Sequence, residues 1–292
     1  MQNFKYNTPR GGLASCIQID NGTNGCFESI HYQYTLANHS MNRYKYRPLI
    51  WAALGMAGFT SPAIGQKQVT KQSQYWIRYY GKYKLSDDWG VNLEVEDRRY
   101  FKNNRQSNWF LPRVAVERKL GSGWAVGAGF TYYLASSPQD PEQETVVTAP
   151  ELRPHQYFTS TQKLGKLGVQ HRFQMEERWI HNSTSTELTS GYHFQGRARY
   201  RFQLSYPLVE TKSTVGSLKA VAFDEILLNL GHNIVNNTFD QNRIYAGLNY
   251  GISKSFQAEL GYMNWFQQRS SGNQYYNRDI LRFTLYHTLK LY

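Results

Sequence analysis

The sequence predicts an all-β fold: an antiparallel transmembrane β-barrel of ten to twelve strands, twelve favoured, forming a single domain behind an N-terminal signal peptide. Three observations predict it. A secretory leader stands at residues 41–65. The mean hydropathy is low, −0.63, yet the 292-residue chain holds 23 tyrosines and 15 phenylalanines. Several segments alternate polar and apolar side chains over more residues than a strand of a soluble sheet usually has.

The leader comes first. Arg43, Lys45 and Arg47 supply a positive flank, and Leu49 to Phe59 form an 11-residue apolar or small run. That run is too short to span a bilayer as a helix, which needs about 20 residues. Ala63-Ile64-Gly65 places small residues before a cut ahead of Gln66. Met41 then reads as the start, with residues 1–40 as translated upstream sequence or a disordered extension. Both cysteines, Cys16 and Cys26, fall in that segment. Residues 66–292 therefore have neither a disulfide framework nor a cysteine metal site to build on.

The strands follow. From Tyr192, YHFQGRARYRFQLSY puts Tyr192, Phe194, Ala198, Tyr200, Phe202, Leu204 and Tyr206 on one face. His193, Gln195, Arg197, Arg199, Arg201, Gln203 and Ser205 lie on the other. A helix would smear these aromatics around its axis, so a period of two fits better. LGVQHRFQMEERWI alternates likewise from Leu167, with His171 and Glu177 breaking its apolar face. Eleven segments read as strands, at 75–85, 89–101, 109–120, 124–134, 151–163, 167–181, 191–206, 218–229, 239–252, 256–267 and 279–292. Bacterial single-chain barrels use even numbers, so a twelfth is sought near 66–74. Short connections alternate with longer polar ones, as tight periplasmic turns alternate with outer loops. Residues 135–150, rich in proline and acids, are expected to form a mobile outer loop. The chain ends DILRFTLYHTLKLY. Leu281, Phe283, Leu285, Leu289 and Leu291 share a face that His287 interrupts, and the last residue is Tyr292. A terminal amphipathic strand ending in an aromatic resembles the signal read by the barrel-insertion machinery of Gram-negative outer membranes.

The polar faces carry charge. Glu94, Glu96, Arg98, Glu151, Arg153, Arg172, Glu176, Arg178, Arg197, Arg199, Arg201, Glu225, Arg243, Glu259 and Arg282 are the candidate lumen network, with Arg78, Arg113 and Glu117 on the same faces. Arginine's planar fork holds carboxylates in register. Buried charges need partners, so the favoured reading is an Arg–Glu network that braces and plugs the lumen. The sharper one is a narrow, anion-preferring pore, because Arg197, Arg199 and Arg201 follow one another with no acid on their own strand.

Eight pieces, in this order, resemble a known family: WIRYYGKYKLSDDW from Trp76, NLEVEDRR from Asn92, ELRPHQ from Glu151, HRFQMEERW from His171, RARYRF from Arg197, FDEILLN from Phe223, FDQNRIYAGLNY from Phe239 and ELGYMN from Glu259. Together they resemble the domain of unknown function 2490 (DUF2490), an outer-membrane-barrel-like family common in the Bacteroidota. The resemblance runs over nearly all of residues 66–292. It implies an exported β-barrel and no activity.

Localisation in the outer membrane of a Gram-negative bacterium follows as an expectation, with outer-membrane lipid and the insertion machinery as partners and no cofactor. Nucleic acid is not an expected partner: the net charge is +12, but arginines and glutamates are interleaved on strands and make no exposed patch. Two alternatives are weighed. HNSTSTE, His181 to Glu187, could set a nucleophile beside a base at a rim and make a lipid-modifying hydrolase. A soluble periplasmic β-sandwich is the rival fold.

Overall fold

The computed structural model describes the backbone of residues 3–7, 13–19 and 23–27, and residues 67–231, 234 and 237–292 in full. The leader expected at 41–65 lies outside the described residues. The chain divides into two units, residues 1–62 and 63–292. In the first, strands β1 (Asn3–Asn7), β2 (Leu13–Ile19) and β3 (Thr23–Phe27) form an antiparallel three-stranded sheet in that order.

The second unit is a closed barrel of eleven strands. They are β4 (Gln68–Lys84), β5 (Trp89–Tyr100), β6 (Gln106–Gly121), β7 (Trp124–Ser137), β8 (Val147–Leu164), β9 (Leu167–Ser183), β10 (Leu188–Val209), β11 (Leu218–Leu230), β12 (Phe239–Gly251), β13 (Phe256–Gln268) and β14 (Gln274–Lys290). The count lies within the expected ten to twelve. The residues near 66–74 do not form a separate twelfth strand; they are the first half of β4. Each strand runs back beside the one before it, so consecutive pairs are antiparallel. An odd number then leaves the first and last strands pointing the same way. The seam is accordingly parallel, from Gln274 beside Gln68 to Lys290 beside Lys84. Parallel ladders are slightly weaker per residue, and side chains reinforce this one on both faces. Inside, Arg78 donates to Thr284 Oγ1 (3.2 Å) and to the Tyr286 hydroxyl (3.0 Å). Outside, the Tyr79 hydroxyl lies 2.8 Å from His287 Nδ1.

Alternation sorts the two faces. Ile77, Val116, Phe173, Leu248, Leu260 and Phe283 are exposed on the outside. Toward the ends of the strands this apolar belt passes into aromatics: Trp89, Trp124, Tyr206 and Tyr250 at one end, Phe101, Trp179, Tyr192 and Phe194 at the other. The two histidines that interrupt the apolar face each present a ring nitrogen to a tyrosine. His171 Nδ1 lies 2.8 Å from the Tyr200 hydroxyl, as His287 does from Tyr79, so neither leaves that nitrogen bare.

Two local devices shape the lumen. The register of β6 shifts between Phe110 and Arg113 on both sides. Leu111-Pro112 form the bulge, where proline's missing N–H costs no ladder bond, and both Phe110 and Arg113 line the lumen. Tyr245 on β12 lies across Gly247 and Gly261, where a β-carbon at either glycine would collide with its ring. Those glycines give a large inward aromatic room to lie flat against the wall.

One end of the barrel has mostly tight turns, as at 122–123 and 165–166; Gly121 (φ 88°) and Gly123 (φ 82°) turn the first of these. At the other end residues 138–146 link β7 to β8. The expected mobile loop of 135–150 is shorter than its composition suggests and is tied down. Gln139 Nε2 donates to Asn108 Oδ1 (2.9 Å) and Gln139 O accepts from Gln72 Nε2 (2.7 Å). Arg105 donates to the carbonyls of Asp140 and Gln143, and Lys102 pairs with Glu142. Polar composition marked a loop here, but the same polar groups hold it across the strands.

Candidate functional site

Side chains at i and i+2 share a strand face, and register partners stand beside them on the next strand. Long arginines and glutamates at such positions meet. Glu176 on β9 is the hub. Its register partner on β10 is Arg197, which donates from Nε at 2.8 Å. Arg199 Nη1 reaches the other oxygen at 2.6 Å, where Gln174 Nε2 also donates at 2.6 Å. Arg153 Nη1 from β8 stands 3.9 Å away. The Glu176 side chain is wholly inaccessible to solvent.

The other acids repeat the arrangement. Glu151 accepts from Arg153 Nε (2.6 Å) and Arg178 Nε (2.7 Å). Glu225 accepts from Arg199 Nη2 (2.7 Å), with Arg243 Nη1 at 3.6 Å. Glu96 holds Arg98 at 2.6 Å, with Arg282 Nε at 3.8 Å. Glu94 has Arg113 Nη1 at 3.4 Å and Arg78 Nη1 at 4.0 Å. Glu117 holds Lys82 at 2.9 Å. Glu259 differs: its partners are the hydroxyls of Tyr245 (2.9 Å) and Tyr286 (3.3 Å) and the Asn249 amide (3.4 Å), not an arginine.

All fifteen candidate lumen residues thus line or face the interior. The ladder of Arg197, Arg199 and Arg201 needs correction, however. Its missing acids come from the neighbouring strands. Arg197 and Arg199 share Glu176, Arg197 also holds Asp240 (3.0 Å) and Arg199 holds Glu225. Arg201 alone in the ladder keeps an amide partner, Gln170 Oε1 (3.2 Å).

Two further charged groups stand outside the fifteen. Asp240 opens β12 within a polar cluster that reads as an ordinary strand start. Arg278 on β14 is completely buried. It donates to Gln72 (2.7 Å), Gln267 (2.6 Å) and Gln139 (2.8 Å), all at Oε1. Its guanidinium lies 4.2 Å from the Trp265 ring and 4.1 Å from that of Tyr276. Beside it Trp76 and Trp265 meet edge to face at 5.5 Å, and Arg98 stacks on Trp76 at 3.6 Å. This layer and Gln139 stand in the lumen at the loop end, where Trp76, Arg98, Gln139 and Trp265 line a cavity of about 380 Å³. A second, of about 450 Å³, runs toward the tight-turn end past Lys82, Ser205, Lys219 and Thr288.

A family model described as a protein of unknown function (DUF2490) matches residues 73–276. The chain belongs to this family. The DUF2490 match begins inside β4 and ends at the start of β14, so it takes in β5 to β13 and the Glu176 hub with Arg153, Arg197 and Arg199, and leaves most of β14 outside. No curated protein and no solved structure matches the chain.

The HNSTSTE segment does not gather into a nucleophile set. His181 Nδ1 lies 3.0 Å from Asn182 O, and its ring packs on Tyr192. Among the described residues no hydrogen bond joins the Ser183 hydroxyl to His181 or Glu187.

Proposed function

We propose that this chain is an integral outer-membrane β-barrel, exported by the leader at 41–65. Its lumen is shut at the loop end by its own side chains, and it acts without catalysis, as a structural or solute-holding barrel and not as an open pore. The observation that carries the reading is the sorting of the wall: apolar side chains face outward between two aromatic zones while the ion pairs face inward. A bilayer asks for that arrangement, since a closed barrel satisfies its backbone polar groups and offers the lipid an apolar band. The shortest wall strand, β5, has 12 residues, enough for a tilted crossing, which takes about 9 to 11. The outward leucine face of β14 suits it to the barrel-insertion machinery, and lipid is the partner of the belt.

The test is fractionation and flotation. The chain should stay with outer membranes through an alkaline wash, float with liposomes and migrate differently on gels before and after heating. Recovery in the detergent-free soluble fraction would favour the periplasmic sandwich. A wall variant sharpens the test. Leu260→Arg puts a cation in the apolar belt, where a bilayer charges about 2–4 kcal/mol near its midplane. Its folding into liposomes should drop while its folding in micelles changes little. Equal folding in both would remove the lipid from the account.

A further inference from the structure

Arg172 on β9 and Arg201 on β10 are direct register partners, and both point into the lumen. Like charges facing each other across a strand pair destabilise it. Neither arginine has a carboxylate within 4.0 Å among the described residues. Arg172 donates to Gln174 Oε1 (2.6 Å) and lies 4.5 Å from the Tyr157 ring. Arg201 donates to Gln170 Oε1. The Nε of each is buried and unpartnered. The register partner of Arg201 on its other side is Glu225, but that carboxylate is already turned to Arg199 and Arg243. Arg78 lines the same cavity, with only a distant share of Glu94. The Tyr80 hydroxyl, which has no hydrogen-bond partner among the described residues, lines it too.

Arg197 and Arg199 share Glu176, and Arg153 and Arg178 share Glu151; among the described residues no carboxylate pairs with Arg172 or Arg201. The 380 Å³ and 450 Å³ cavities are both lined by Arg78, Tyr80, Gln170 and Arg201, so Arg78 and Arg201 stand where the two meet, and Arg172 lines the first beside them. We propose that this junction binds a small free oxyanion of the phosphate class, taken from the tight-turn mouth and held by Arg172, Arg201 and Arg78. Guanidinium forks present parallel N–H donors that fit tetrahedral oxyanions better than they fit a halide. The binding residues face the lumen and not the wall, so the ligand is a free solute and not a lipid headgroup. The inference rests on the closed lumen of the proposed function and not on where the barrel resides.

The test is calorimetric titration of the full chain, folded in a phosphate-free maltoside detergent, with inorganic phosphate at constant ionic strength set by chloride. Saturable binding and a rise in unfolding temperature are expected. Arg201→Gln should weaken binding by about tenfold or more, the loss of a charge-assisted bond, and Arg172→Gln/Arg201→Gln should abolish it. Without phosphate the same variants should unfold at or above the wild-type temperature, because the like-charge pair is relieved. A merely structural arginine would do the opposite. Absence of saturable binding, or unchanged binding in Arg201→Gln, overturns the site. So does binding that appears only when phospholipid nanodiscs replace detergent. A chain that binds phosphate yet stays soluble without detergent keeps the site and loses the membrane; a floating barrel blind to phosphate does the reverse.

Discussion

Glu176→Gln should cost about 3–5 kcal/mol of folding free energy, the range for removing one partner of a buried ion pair. The carboxylate holds Arg197 and Arg199 directly and stands 3.9 Å from Arg153. Glutamine keeps the shape and one acceptor but no charge, so three guanidiniums crowd together with only Asp240, Glu225 and Glu151 left to share. Urea unfolding in micelles, followed by tryptophan fluorescence, measures the loss. A double-mutant cycle separates charge from shape. Glu176→Gln/Arg197→Gln should be less destabilised than the sum of the single variants, because it removes a stranded cation as well as an acid. Additive losses would mean that the pair is packing and not electrostatic bracing. Glu142→Gln is the internal control. Its pair with Lys102 is more than half exposed, and exposed pairs contribute little.

The wall was legible in the sequence where one face was apolar. β10 and β9 announce themselves because Tyr200, Phe202, Phe173 and Met175 alternate with lumen residues. The same rule fails where both faces turn polar near the loop end. There β14 begins with Gln274, Tyr275, Tyr276, Asn277 and Arg278, and β4 with Gln68 to Ser73, so period two carries no contrast and the strands were read too short. The parallel seam begins with these very residues, Gln274 beside Gln68 to Arg278 beside Gln72. Arg278 is not marked by a pair because three glutamines and two aromatic rings satisfy it, and its sequence neighbour Asp279 sits on the opposite strand face, where it accepts from the Tyr262 hydroxyl. The lumen charges were legible as a set, since inward positions follow from alternation. Their pairing was not, because register decides it: Arg197 meets Glu176, and Arg201 meets Arg172, by an alignment of β9 with β10 that no single strand encodes. The parallel seam was hidden for the same reason. It follows from the parity of the strand count, and that count depends on the ends of β4.

In planar bilayers the folded wild-type chain should be electrically silent. On the proposed reading two layers close its loop end. The outer one is the 138–146 loop, fastened by Gln139 to Asn108, Gln72 and Arg278. The inner one is the Trp76–Trp265 pair with Arg98 and Arg278 stacked on it. Replacing residues 139–145 by a short Gly-Ser link removes only the first and should leave the barrel silent. Adding Trp265→Ala and Arg278→Ala removes the aromatic and the cation that fill the axis, and discrete openings should then appear. These should prefer anions, because Arg78, Arg172 and Arg201 still line the cavity below and a cationic constriction attracts counter-ions. Steady openings of the wild type would show that the layers breathe and would restore the narrow pore. Openings of the loop variant alone would assign closure to the loop. Persistent silence of the combined variant, in a barrel that still shifts on heating, would place a further barrier at the tight-turn end, where Lys82 and Glu117 meet.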